Sequence, residues 1–593
     1  MDDNQFSRRT FLKTTGLAAF GVSVSGCLDN NNQEKAQASP STPKLKDGGG
    51  PYNILMIVTD QERHMTPGQL PDGYNLPGHE RLAEQGVVFE NHQVASCVCT
   101  PSRAVMYTGQ HIQNNGMFDN TNFPWSGSMS TEIDTIGDLL RKQGYYTAYK
   151  GKWHLTEEFE TTNDSHNPKK LLSGEMEKYG FSDYFGIGDV IAHTQGGFLH
   201  DNIISAMSRS WLRGKGEELK EAKKPWFMAV NLVNPHDVMY YNTDLPGQDE
   251  QSGSAMLDVQ REPKNAIYKK QWNVTLPATR KQSINEKGRP TAHLDYQQSR
   301  GAMVGVVPDD DKRWQRLNNY YLNCIKDVDN NIDELLNELD ELNIADNTIV
   351  IFTADHGELS GAHGLTGKGA TAYQEQNNVP FIIVHPAFKG NKRCKAVTSH
   401  VDIATTLISL AGGDASHVSN LPGKDISTLL QAPEKAAFNS LRDGALYNFN
   451  MFAYVDQEFF KSISNYFAQG GEASDLANQG IKPNLKKRGA IRSVFDGQYK
   501  LSRYYSPLEH HIPKTLEELF ENNDVELYDV VNDPFEMTNL ANDRHKNDEI
   551  IDKMNKKLNL LLKQEVGDDV GQMLPSISGT DWKLPASIKH LRL

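Results

Sequence analysis

Residues 347–358 read NTIVIFTADHGE. From Ile349 to Ala354 the run is apolar or β-branched with no polar alternation, and it ends abruptly at Asp355, His356 and Gly357. Such a run describes a strand buried on both faces, as in parallel sheets covered by helices on either side. YNILMIVTDQ (52–61) repeats the pattern and ends in Asp60 and Gln61. YYTAYKG (145–151), WFMAVNLVN (226–234) and VPFIIVHP (379–386) read as further strands. HERLAEQG (79–86), TIGDLLRKQG (135–144) and a long amphipathic stretch around Cys324 read as helices between them. The expected fold is α/β, a large, mostly parallel sheet sandwiched by helices.

In an open α/β sheet, ligands gather at the carboxyl ends of the strands. Asp60, Gln61, Asp355 and His356 fall there on two separate strands. Either pair alone would pass for a turn or an N-cap. Together they offer two carboxylates, an amide oxygen and an imidazole, a donor set for one divalent cation in which oxygen predominates.

A third segment, CTPSRAVMYTG (99–109), puts Cys99 at the mouth of a helix, where free N–H groups favour an anion. Arg103 follows one turn on and faces the same side. No cysteine-protease pattern surrounds the thiol.

The chain has 593 residues, too many for one compact core, so a large domain with a smaller companion is expected. A formal charge of -15 argues against general nucleic-acid or anionic-membrane binding, so any anionic substrate needs a local basic pocket. At the N-terminus, Arg8 and Arg9 precede Phe11, Leu12 and Lys13 and an apolar run too short to span a bilayer. Residues 1–26 resemble a bacterial twin-arginine export signal, and Val24-Ser25-Gly26-Cys27 resembles a lipobox. The expectation is an exported bacterial protein handled by the twin-arginine machinery. It would sit in the periplasm or at the cell surface, held to the membrane only by a lipid on Cys27. Residues 27–50, rich in Asn, Ser, Pro and Gly, read as a flexible tether. Cys97, Cys99, Cys324 and Cys394 make no disulfide scaffold: Cys97 reads as structural, Cys324 as a core residue and Cys394 as lying in a loop.

A catalytic domain is expected over 51–488 and an α+β subdomain over 489–593. The latter would hold antiparallel strands in GAIRSVFDGQYKLSRYYS and VELYDVVNDP, then a helix with Asn547 as N-cap and Ile550, Met554, Leu558 and Leu561 on one face. Two irregular stretches, about 240–310 and 447–488, are long enough to shape a substrate cleft.

Cys99-Thr100-Pro101-Ser102-Arg103 with Thr108-Gly109 resembles the signature of the formylglycine-dependent sulfatases, members of the alkaline phosphatase superfamily. GKWHL (151–155), NPHD (234–237), GLTGKGATAYQE (364–375) and ELYDVVNDPFEMTNLAND (526–543) resemble further segments of that family, in its order. The resemblance implies that Cys99 is converted by a formylglycine-generating enzyme to an aldehyde that hydrates to a gem-diol. One diol oxygen would bind the cation and the other would attack sulfur. Asp60, Gln61, Asp355 and His356 would complete the metal site, with calcium the first choice and manganese or magnesium the alternatives. Arg103 and Lys152 would hold the diol and the sulfate charge, and Lys368 would bind another sulfate oxygen. His236 would protonate the leaving alcohol, and His154 would take a proton from the second hydroxyl. His363 either faces the pocket or shapes the turn.

The implied activity is hydrolysis of a sulfate monoester, carbohydrate sulfate above all, to alcohol and inorganic sulfate. The pair Asp-Gln with Asp-His also occurs in related phosphonate monoester and phosphodiester hydrolases, which keeps that activity as an alternative. Those enzymes typically have Tyr-x-Thr where this chain has Lys152-Trp153-His154, which favours the sulfate ester. A lipoprotein that binds sulfated glycans without turnover is the reading if Cys99 is never converted.

Overall fold

The computed structural model describes residues 51–568 apart from 66–68, 122, 124, 158–172, 187–193, 473–474, 477 and 510–511. The export signal, the tether and Cys27 lie outside the described residues. No helix among those described is long and apolar enough to cross a membrane.

Eight strands form the main sheet: β1 (Asn53–Asp60), β2 (Val87–Gln93), β3 (Tyr146–Gly151), β4 (Ser182–Phe185), β5 (Trp226–Pro235), β6 (Thr348–Ala354), β7 (Phe381–Val384) and β8 (Lys392–Ser399). Their order is β4-β3-β5-β1-β6-β7-β2-β8. All pairings are parallel except those of β7, which runs antiparallel to β6 and β2. The continuous apolar runs are explained by two cores. Ile54, Met56 and Val58 of β1 face Met106, Leu139 and Leu407 on one side. Leu55 and Ile57 face Leu82, Ile332 and Leu335 on the other. The second layer is built on the helix Asp311–Glu341, whose N-cap Asp310 accepts from the amide of Lys312.

A four-stranded antiparallel sheet follows, comprising β9 (Ala445–Phe449), β10 (Ala490–Phe495), β11 (Tyr499–Tyr505) and β12 (Asn523–Asp529). Their order is β12-β11-β10-β9. The sequence reading differs here in three places. The small sheet takes its edge strand β9 from before residue 489, because Ala445–Phe449 pairs with a strand some forty residues further on and carries no local hairpin signal. The closing helix starts at Arg544, not after Asn547, whose side-chain amide donates to the carbonyls of Leu540 and Asp543. Cys394 is a buried residue of β8, not of a loop; Lys392, Arg393 and Lys395 around it hide the strand.

The irregular stretches contain helices as well: Thr291–Val304 in the first, Phe452–Val455 and Gln457–Ala468 in the second. The two sheets meet beside the helix Cys99–Thr108. The amide of Asn448 donates to the carbonyl of Ala95 (2.9 Å), and Ser96 Oγ donates to the Asn448 carbonyl (2.8 Å), which fixes the backbone just ahead of Cys99.

Candidate active site

β1 and β6 are parallel neighbours with Thr59 opposite Ala354. Asp60, the last residue of β1, and Asp355, just past the end of β6, therefore emerge side by side. Cys99 arrives from the helix Cys99–Thr108, all of whose residues are buried. Asp60, Cys99, Asp355 and His356 offer ligand atoms that lie within 4.8 Å of one another. Cys99 Sγ is 3.3 Å from His356 Nε2 and 3.9 Å from Asp60 Oδ1.

Two buried carboxylates at adjacent strand ends repel each other, and Arg103 offsets this. Its Nε donates to Asp355 Oδ2 (2.9 Å) and its Nη2 to Asp60 Oδ2 (3.0 Å). Nη1 donates to the Lys152 carbonyl and to Asn231 Oδ1, so every donor edge of the guanidinium is used. Lys152 Nζ donates to Asp60 Oδ2 (2.8 Å), and Lys368 Nζ lies 3.6 Å from Asp60 Oδ1. The Asp60 carboxyl is held well below its usual range: burial opposes ionisation, but Lys152, Lys368, His236 and Arg103 together outweigh it. Asp355 is pushed the other way, to about 6, by burial and by Asp60.

Gln61 takes a left-handed backbone (φ 72), a conformation that residues other than glycine adopt at a cost and mostly where function holds them. Its Nε2 donates to Glu358 Oε2 (2.5 Å) and its Oε1 accepts from Lys368 Nζ (2.5 Å), so the amide oxygen faces the site. Glu358, not singled out in the sequence, also accepts from the amides of Ser360 and Gly367 and thereby anchors the loop that carries Lys368. The only local signal for it was its place at the end of TADHGE. Asn231, at the carboxyl side of β5, was missed as well; it receives both Arg103 and the Tyr107 hydroxyl (2.8 Å).

His356 Nδ1 faces the Gly357 carbonyl at 3.1 Å. Donation there leaves the Nε2 lone pair directed at Cys99 and the carboxylates, the tautomer a metal ligand requires. The donor set thus fits a divalent cation, with Cys99 Sγ standing where an oxygen of the hydrated aldehyde would be. His154 is buried with φ 59, and its imidazole is held neutral, first by burial and then by Lys152 and Arg103. His236, in the turn His236–Tyr240, is likewise held neutral by burial, Lys368 and Lys152. All the residues expected at the site are buried, and His154 and His236 both lie within electrostatic reach of Lys152, Lys368 and Asp60. His363 shapes the turn: its ring stacks on Tyr373 at 3.5 Å and its Nδ1 meets Gln282 Oε1 at 2.8 Å.

The sulfatase family model matches residues 52–413. An N-acetylglucosamine-6-O-sulfatase of Bacteroides thetaiotaomicron is 25% identical over 543 residues, covering 85% of each chain. A solved structure of a protein in complex with its substrate D-glucosamine-2-N,6-O-disulfate superposes with a TM-score of 0.57 at 20% identity, over 88% of this chain and 99% of that one. A phosphonate monoester hydrolase of Agrobacterium radiobacter superposes with a TM-score of 0.60 at 18% identity, over 87% and 96%.

Proposed function

The chain belongs to the sulfatase family, and from that premise we propose that it hydrolyses a sulfate monoester of a carbohydrate to an alcohol and inorganic sulfate. The observation that carries the reading is Cys99 at the helix mouth, facing Asp60, Asp355 and His356, with Lys152 and Lys368 converging on the same carboxylate. The relative that acts on N-acetylglucosamine 6-sulfate and the neighbour with a disulfated glucosamine support a sugar as the alcohol.

A formylglycine at position 99, hydrated beside a divalent cation held by Asp60, Gln61, Asp355 and His356, would supply the nucleophile. Calcium is the first choice for an oxygen-rich site. The remaining work falls to the side chains. Arg103 keeps both carboxylates oriented for the metal. Lys152 and Lys368 are cationic donors preset toward the space where sulfate oxygens bind, so little reorganisation is needed when charge shifts during S–O cleavage. Burial first, and then Lys368 and Lys152, suppress protonation of His236; a bound sulfate ester would offset the lysines, and His236 would give its proton to the leaving oxygen. His154, kept neutral, is free to accept one.

Export through residues 1–26 and lipidation of Cys27 complete the proposal and would place the enzyme where sulfated polysaccharides are met outside the cytoplasm.

The test is a panel of defined sulfated saccharides, aryl and choline sulfates, phosphonate monoesters and phosphate diesters, read as released sulfate or phosphate, with peptide mass spectrometry at position 99. Sulfate release together with an aldehyde at residue 99 is expected. Preferred release from phosphonates or diesters, or full activity with an unmodified thiol, overturns the reading.

A further inference from the structure

Arg300 is a buried cation that the reaction described above leaves unused. It lies on the helix Thr291–Val304 and is 5% exposed. Its Nη2 donates to the Met239 carbonyl (2.7 Å), within the turn His236–Tyr240 that carries the proton donor. Nε and Nη1 have no hydrogen-bond partner, and no ion pair to Arg300 is present among the described residues. A guanidinium cannot shed its proton to escape this, and an unpaired charge away from water is unfavourable. A ligand oxygen at Nη1 would complete it.

The surroundings say where that ligand sits. On its other side Arg300 packs against Gly367, the residue before Lys368: a Cβ at Gly367 would stand 2.6 Å from Arg300 Nε. The guanidinium therefore lies between the segment bearing His236 and the segment bearing Lys368. It lines a recess together with Tyr296, Trp314, Val306, Leu365 and Thr366, so that two aromatic rings stand among largely apolar walls. Tyr454 packs edge-on to Tyr296 at 5.0 Å. The contacts of Arg300 with Met239, in the turn that carries His236, and with Gly367, next to Lys368, place it beside the reaction centre.

We propose that Arg300 is a second anion subsite, which binds an acidic substituent of the substrate, a sulfate or a carboxylate, on the leaving-group side of the sulfate being cleaved. The substrate is then a sugar unit with two anionic groups, one cleaved and one read. This rests on the sulfatase reading and narrows it, because a permanently charged guanidinium whose Nη1 has no partner calls for the oxygen of an acid.

The experiment compares matched probes: hexosamines sulfated at the 2-, 4- or 6-position, the same sugars with a second sulfate, and the same sugars joined to a hexuronate. Wild-type enzyme should prefer a doubly anionic probe, and the sulfate and uronate arms decide which acid is read. Arg300→Met should raise KM for that probe about tenfold or more relative to its singly sulfated partner, with kcat much less affected, and Arg300→Lys should recover part of the preference. Equal loss on both probes, or a wild type indifferent to the second anion, overturns the subsite.

Calorimetric titration of Cys99→Ala protein with the same probes, with and without Arg300→Met, separates this from the activity itself. Binding that depends on Arg300 without sulfate release in the wild type would sink the sulfatase reading alone. Sulfate release with binding indifferent to Arg300 would sink the subsite alone.

Discussion

Lys368 Nζ and Gln61 Oε1 are 2.5 Å apart, which joins the residue aimed at the sulfate to a residue of the metal site. The amide can present its oxygen to the lysine because Glu358 takes the nitrogen. Gln61→Glu would set two buried carboxylates against each other at that contact. It should lower the unfolding free energy by about 1–3 kcal/mol in metal-free protein, and Glu358→Gln in the same chain should restore most of it. Urea midpoints of the two single variants and the double variant check this; an additive double variant would mean that Glu358 does not orient Gln61.

Removal of the metal should separate activity from stability. Asp60 and Asp355 are bridged by Arg103 whether or not a cation is present, and Lys152 adds a second partner to Asp60. Chelation should therefore abolish turnover while melting and circular dichroism change little. Arg103→Lys, which cannot span both carboxylates, should lose about 3–5 kcal/mol by leaving a buried charge unpaired. Unfolding of the wild type on chelation would show that the metal, not Arg103, holds the strand ends together.

The sheet and the site were unequally legible in the sequence. The central strands were plain because burial on both faces removes polar alternation, as in Ile54–Val58 and Ile349–Phe352. β8 and β9 were hidden because edge strands carry polar or short segments whose partners lie far along the chain. The directly acting residues stood in motifs. Glu358 and Asn231 act on other side chains, and Arg300 is placed by a helix inside a stretch without strand or turn rhythm, so nothing local marked them.

His92 gives the pH dependence of stability a defined sign. It stacks on Phe381 at 4.0 Å, fully buried, and burial with nearby His400 and Arg442 holds it well below its ordinary value. The unfolded chain binds a proton near pH 6.5 that the folded one refuses. The stability this group contributes is present above pH 6.5 and is lost as pH falls below it. Wild type should thus lose about 1.4 kcal/mol per pH unit more than His92→Gln between pH 6 and 5, read from urea midpoints. Parallel slopes for the two proteins would mean that His92 is protonated in the fold.

Lys152 and His154 are where sulfate and phosphate chemistry should part. A sulfate monoester carries one negative charge over three outer oxygens and leaves through a loose transition state, so cationic donors around those oxygens favour it. A diester brings a second organic group, which needs room more than charge. Related diester hydrolases carry tyrosine and threonine at these two places, but the backbone here limits the exchange. His154 has φ 59, a conformation that a β-branched threonine adopts only with strain and asparagine tolerates. Lys152→Tyr with His154→Asn is therefore the cleaner pair. It removes the ammonium that lies 2.8 Å from Asp60 and the neutral imidazole behind it. Sulfate ester turnover should fall by ~100-fold or more for the lost electrostatic donors, with phosphodiester turnover spared or raised. Equal loss of both activities, in an enzyme that already prefers diesters, would mean that this pair does not select the anion and that the sulfate ester is not the substrate.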